Sequence, residues 1–215
     1  MLAVALLALA VPRLVAAITL LPSAHALDRL QSMRPVPTYN IERLIRSQRR
    51  ALVWQPSGRT WTDLGLAQLL LAERSPDDDA RAMARFEDAH RALVEGLSTA
   101  PANPFAWSRL AYAEAVLDGW TPQAIASLRM AFITGPFEPR LLWPRLRLSL
   151  SAWPVIPLED QEMVLQQLRQ GWEADPEAFA ALVTRMDRVD IAKLALANSA
   201  ADLRDLEVRL RAQRP

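Results

Sequence analysis

NPFAWSRLAYAEAVLDGWTPQAIASLRMAFITGP, residues 103–136, reads as two helices and the turn between them. Asn103 and Thr121 each stand directly before a proline, Pro104 and Pro122. A side chain that accepts from the first free N–H groups, followed by a residue with no donor to satisfy, is a physical start signal for a helix. The same pairing recurs at Ser75-Pro76 and Asp175-Pro176. Beyond Thr38 helical periodicity continues almost throughout, and no alternating run would build a strand. The spacing predicts helices over 39–54, 59–73, 79–99, 104–118, 122–134, 138–152, 158–174, 176–186, 188–198 and 200–212, an all-α chain.

Self-similarity extends the hairpin into an array. Trp107-x2-Leu110-Ala111 opens one unit and Ala124-x3-Leu128-x2-Ala131-x4-Pro136 closes it. Trp61-x2-Leu64-Gly65 and Ala82-x3-Phe86-x2-Ala89 form a unit upstream, across a longer connection containing Asp77, Asp78 and Asp79. A third runs from Trp143-x2-Leu146 to Val164-x3-Leu168-x2-Gly171-x4-Pro176, and Leu44-x3-Gln48-x2-Ala51-x4-Pro56 is an upstream half-unit. Trp107, Trp143 and Phe179 lie 36 residues apart. Small residues (Gly65, Ala89, Ala111, Ala131) let paired helices approach, and large ones (Trp61, Phe86, Trp107, Leu128) fill the space between hairpins. Over roughly residues 40–180 this pattern resembles degenerate tetratricopeptide (TPR) repeats. The resemblance implies a right-handed helical-hairpin solenoid with one concave and one convex face.

The first 21 residues carry a single strongly membrane-averse side chain, Arg13, so an N-terminal apolar helix is expected, long enough to span a bilayer. Ser23-Ala24-His25-Ala26 looks like a signal-peptidase site, whereas the missing basic n-region, Arg13 and the helix-kinking Pro12 favour a retained anchor. Both readings stand: residues 1–26 as signal peptide or anchor, 27–37 as linker and 38–215 as the repeat domain. Arg29, Arg34, Arg43, Arg46, Arg49 and Arg50 follow the apolar run and would hold the domain in the cytoplasm by the positive-inside rule. The cleavage-like site points to export, and the expectation adopted is the bacterial inner membrane with a periplasmic domain.

Composition closes off much chemistry. The 25 basic and 24 acidic residues leave a net charge of +1, too little for a bulk field to draw the chain to nucleic acid or a membrane surface, and no nucleic-acid partner is expected. There is no cysteine, His25 and His90 are the only histidines, and six glycines form no phosphate-loop pattern. No catalytic, cofactor-binding or metal-ligating constellation results. The acids at 77–79 and at Glu159-Asp160-x-Glu162 sit at expected helix starts, where they offset the macrodipole. Arg43, Arg46 and Arg50 share one helical face, which reads as solvated or, beside an anchor, as facing lipid phosphates. Trp61, Trp107 and Trp143 occupy the packing position of their repeats.

The TPR resemblance places groove residues at fixed offsets from each tryptophan: Thr62, Leu66 and Leu69; Phe105, Ser108 and Tyr112; Leu141, Leu148 and Ser151. Of these, Leu66, Leu69, Phe105, Tyr112 and Leu148 are the expected partner-binding residues. The groove is mostly apolar, with Arg109 just off it, which suits an amphipathic helix or aliphatic peptide and not an acidic terminus. Leu203, Leu206 and Leu210 lie at i, i+3 and i+7, the pattern of a helix capping the end of a stack or closing its groove. The expectation is a non-enzymatic adaptor or scaffold of the cell envelope. Its layout is similar to that of small accessory TPR proteins of bacterial exopolysaccharide biosynthesis. The alternative is a periplasmic glycan-binding or glycan-modifying protein using Phe105 and Tyr112, with Glu114 the nearest acid.

Overall fold

A computed structural model describes residues 2–32, 34–75 and 79–212, with side chains from residue 10 onward. The described chain is all-helical and contains no strand. Its helices are α1 (Leu2–Leu20), α2 (Ala24–Gln31), α3 (Thr38–Trp54), α4 (Gly58–Glu73), α5 (Asp79–Thr99), α6 (Pro104–Asp118), α7 (Pro122–Thr134), α8 (Leu142–Ala152), α9 (Leu158–Ala174), α10 (Pro176–Arg185), α11 (Val189–Ala195) and α12 (Ala200–Ala212).

The start signals act as their chemistry requires. Asn103 Oδ1 accepts from the N–H of Ala106 at 3.1 Å, Thr121 Oγ1 from Ala124 at 3.3 Å, and Asp175 Oδ1 from Glu177 and Ala178 at 3.1 and 3.0 Å. The pair at Ser75-Pro76 and the acids Asp77 and Asp78 reach outside the described residues. The segment expected as one helix over 138–152 starts with a 3-10 turn, Pro139–Leu141, before α8. Glu138 caps that turn by accepting from the Arg140 N–H at 3.2 Å, and Pro144 has no N–H to return to the Arg140 carbonyl. At the end of α10, Asp187 takes a left-handed backbone (φ 52°), which stops the helix.

Each helix from α3 to α9 packs on the next, and α4 touches α6 while α6 touches α8. The apolar interior is accordingly divided into three clusters. Ile41, Leu44, Leu64 and Leu71 belong to the first, Phe86, Leu93 and Leu110 to the second, and Leu128, Leu146, Leu168 and Phe179 to the third. α12 packs on α10, burying Leu206 completely and Leu203 and Leu210 in part.

α1 lies against α3, buries Ala16, and exposes Val11, Leu14, Ile18 and Leu21 on one side. The stretch Ala10–Gln31 is long and apolar enough, by length and composition, to cross a membrane, which fits an anchor or a signal sequence. A 3-10 turn, Leu21–Ser23, leads into α2, and the buried Ser23 and Ser47 hydroxyls meet at 2.6 Å. Residues 27–37, expected as a linker, carry most of α2 and, over 34–37, a stretch without regular secondary structure. Leu30 and Val36 enter the first cluster, and Arg74 Nη1 donates to the Val36 carbonyl at 2.6 Å.

Candidate partner-binding surface

α4, α6 and α8 carry the residues that repeat spacing singles out. Leu66, Tyr112 and Leu148 each lie five positions after the tryptophan opening their unit. The structure treats them differently. Tyr112 and Leu148 are half-buried, as is Phe105, whereas Leu66 and Leu69 are buried, 9% and 4% exposed. Leu66 shares a cluster with Ala26, Leu30 and Val36, and Gln31 Nε2 donates to Asp63 Oδ1 at 3.0 Å. The chain's own N-terminal segment therefore lies over α4, and residues 62–69 are buried without a break. Leu69 faces the other way, into the second cluster with Phe86 and Leu93. Neither leucine presents surface to a partner here. Thr62, Ser108 and Leu141 are buried too, and Ser151 is exposed.

On α6, Phe105, Arg109 and Tyr112 follow one another at helical spacing along one side. The Arg109 guanidinium sits 5.8 Å above the Phe105 ring and close enough to Asp63 for the charges to attract. Burial pulls the Arg109 pKa down to about 10, and Asp63 offsets this in part. Asp63 is itself pushed up, burial outweighing Gln31, Arg59 and Arg109. The Tyr112 ring meets Phe86 edge to face at 5.9 Å, and burial with Glu73 beside it raises the hydroxyl to about 12. The open part of this face is thus an aromatic and aliphatic strip with one arginine.

The tryptophans at the unit openings are half-buried and packed against the clusters, Trp107 also donating from Nε1 to the Pro101 carbonyl at 2.7 Å. Glu114, the acid nearest the aromatics in sequence, is buried, and two residues of helix turn it about 200° from Tyr112. Its carboxyl is raised above the ordinary 4.5, chiefly by burial, with Ser127, His90 and Gln123 offsetting the effect only in part. A raised pKa in the folded state means that ionisation costs stability. Glu114→Gln should therefore match the wild type in thermal stability below pH 4.5 and exceed it increasingly as pH rises. His90, 3.7 Å away, helps only while protonated. A variant less stable than the wild type at pH 7 would show that the carboxylate is held by an ion pair and contradict this assignment.

Sequence reading missed a cleft of about 630 Å³ on another side of α4, bounded by α3 and α5. Leu52, Trp61 and Leu64 give it an apolar floor, and Arg49, Asp88 and His90 line its rim. Arg49 Nη2 pairs with Asp88 at 3.0 Å, Arg91 pairs with the same carboxylate, and Gln68 donates to it at 3.3 Å. Such a cleft takes an apolar side chain; only the meeting of three separate helices creates it, so no local pattern announces it. Among the described residues no three His, Asp or Glu side chains are grouped to hold a metal.

Comparison with family models, curated proteins and solved structures finds no match to this chain.

Proposed function

We propose that this protein is a non-enzymatic helical-repeat adaptor of TPR-like type in the bacterial cell envelope. α1 ties it to the inner membrane, and another protein lies along the α6–α8 face. The observation that carries this reading is the treatment of equivalent positions. Leu66 on α4 is buried in a cluster to which the protein's own Ala26, Leu30 and Val36 contribute, while its counterparts Tyr112 and Leu148 are left half open. Part of that cluster comes from α2, a short amphipathic helix, so the same surface one and two units on suits an amphipathic helix of a partner. α12 is occupied with α10, where it serves as a terminal cap.

The anchor is retained in this reading. Cleavage after Ala26 would strip the Ser23–Ser47 contact and Ala26 from the first cluster. The domain is placed in the periplasm, and the layout suits a role beside exopolysaccharide assembly or export.

A photo-crosslinking residue in place of Tyr112, in full-length protein in its native membranes, should yield one dominant adduct. The same residue in place of the exposed Val208 on α12 should yield none. Tyr112→Glu with Leu148→Glu should lower capture about tenfold, the effect of roughly 1.4 kcal/mol, with unchanged helicity by circular dichroism. Equal capture by the wild type and the double variant would exclude this face as the binding surface.

A further inference from the structure

Arg43, Arg46 and Arg50 of α3 line a cleft of about 350 Å³ together with Thr19, Pro22 and Ser47. The three arginines stand at i, i+3 and i+7, all exposed, and among the described residues none has an acid within ion-pairing distance. Glu42, the acid nearest in sequence on α3, is not paired with them. Such a concentration of uncompensated positive charge is unusual in a chain whose net charge is only +1.

The other wall of the cleft belongs to the apolar N-terminal helix and the turn after it. Thr19 and Pro22 are the sequence neighbours of Ile18 and Leu21, which end the exposed stripe begun by Val11 and Leu14, each of the four 46–69% exposed. An apolar ridge and a cationic cleft thus share one edge. At a lipid surface the ridge belongs among acyl chains and the cleft one layer out, at the depth of the phosphates. Guanidinium groups suit that layer because each presents forked donors to phosphate oxygens.

We propose that Arg43, Arg46 and Arg50 form a binding site for the phosphate headgroups of anionic phospholipids, seated where α1 meets the bilayer. The proposal rests on the membrane-bound reading of α1 and adds to it a lipid preference. The ridge holds the protein to any bilayer; the arginines make it favour an anionic one and fix α3 against the headgroups. Each cation near an anionic surface multiplies affinity several-fold, so the cluster amounts to about a hundredfold, and salt weakens it.

The test uses full-length protein in nanodiscs of phosphatidylcholine alone and of phosphatidylcholine with phosphatidylglycerol, with thermal unfolding followed by circular dichroism. Phosphatidylglycerol should raise the midpoint by about 5–10 °C. The increment should vanish in the triple variant Arg43→Gln, Arg46→Gln, Arg50→Gln, whose midpoint in phosphatidylcholine should match the wild type. If the triple variant does not fold, Arg46→Glu alone should remove at least half of the increment. An equal response from wild type and variants overturns the proposal. So does inorganic phosphate giving the same increment in phosphatidylcholine discs, which would make the site one for a free anion. Dissociation of the wild type from both kinds of disc would instead refute the membrane-bound reading itself.

Discussion

Arg145→Ala should lower the thermal midpoint by about 10 °C, the largest effect expected of a single substitution in this chain. Arg145 is fully buried, and among the described residues no carboxylate lies within ion-pair distance of it. Its guanidinium enters the end of α7, where Nη1 donates to the carbonyls of Ala131 at 3.1 Å and Gly135 at 2.7 Å, and Nη2 reaches the Glu138 carbonyl at 3.5 Å. These carbonyls close the last turn of a helix and the chain beyond it, where acceptors lack intrahelical partners and the macrodipole is negative. The Phe132 ring, 5.1 Å from the guanidinium carbon, adds its negative face. Burial lowers the pKa of the group, with Glu138 opposing that shift. Truncation removes charge-assisted hydrogen bonds, strands buried acceptors and leaves a cavity, together about 4 kcal/mol. Arg145→Lys should recover little, since one ammonium lacks the fork that spans both carbonyls. A midpoint within 2 °C of the wild type for Arg145→Ala would contradict this account.

Gly96→Val should be the second most damaging change, at about 3 kcal/mol, or a midpoint lowered by roughly 6–12 °C. A Cβ at Gly96 would lie 2.5 Å from Thr62 Cγ2 and 3.0 Å from both the Gly58 carbonyl and the Thr62 nitrogen. Gly58 answers from α4: its own Cβ would stand 2.8 Å from the Gly96 carbonyl. Two backbones are in direct contact there, and α4 has nowhere to move, being packed by α3, α5 and α6. Gly119→Ala is the contrast. Nothing lies within 4 Å of its would-be Cβ, and the cost comes from the backbone alone, φ 77° with ψ −171°, a combination almost reserved for glycine, at about 1–3 kcal/mol. Thermal unfolding of the two variants separates a steric from a conformational requirement for glycine. A Gly96→Val midpoint within 2 °C of the wild type would refute the close approach of α4 and α5.

Helix positions were legible because their start signals are local chemistry: Asn103, Thr121 and Asp175 each satisfy N–H groups within three residues. Local chemistry also misleads where two prolines fall close together, as at Pro139 and Pro144, which delay α8 to Leu142. What lies over a helix is another matter. Repeat spacing puts Leu66 and Leu69 on a binding face, yet the run from Leu64 to Ala72 is apolar on every side except for Gln68. A helix apolar all round is one buried all round, and that was the available sign that another segment covers α4. Arg145 left no such sign. A charge in a periodic helix reads as solvent-facing, and only the arrival of the α7 terminus, ten or more residues upstream, converts it into an interior group.

The described residues between α1 and α3 are tied to the domain at several points. Ser23 is fastened to Ser47, Leu30 and Val36 are set into the first cluster, and Arg74 holds the strip just before α3 begins. A tethered receptor normally swings on its leash and explores a hemisphere of solvent. If α1 sits in a bilayer as proposed, these attachments couple its orientation to the height and bearing of the α6–α8 face. On the proposed function a partner docked there would be held at a set distance from the lipid, and lengthening the chain between Leu30 and Val36 by a few glycines would turn a ruler into a rope.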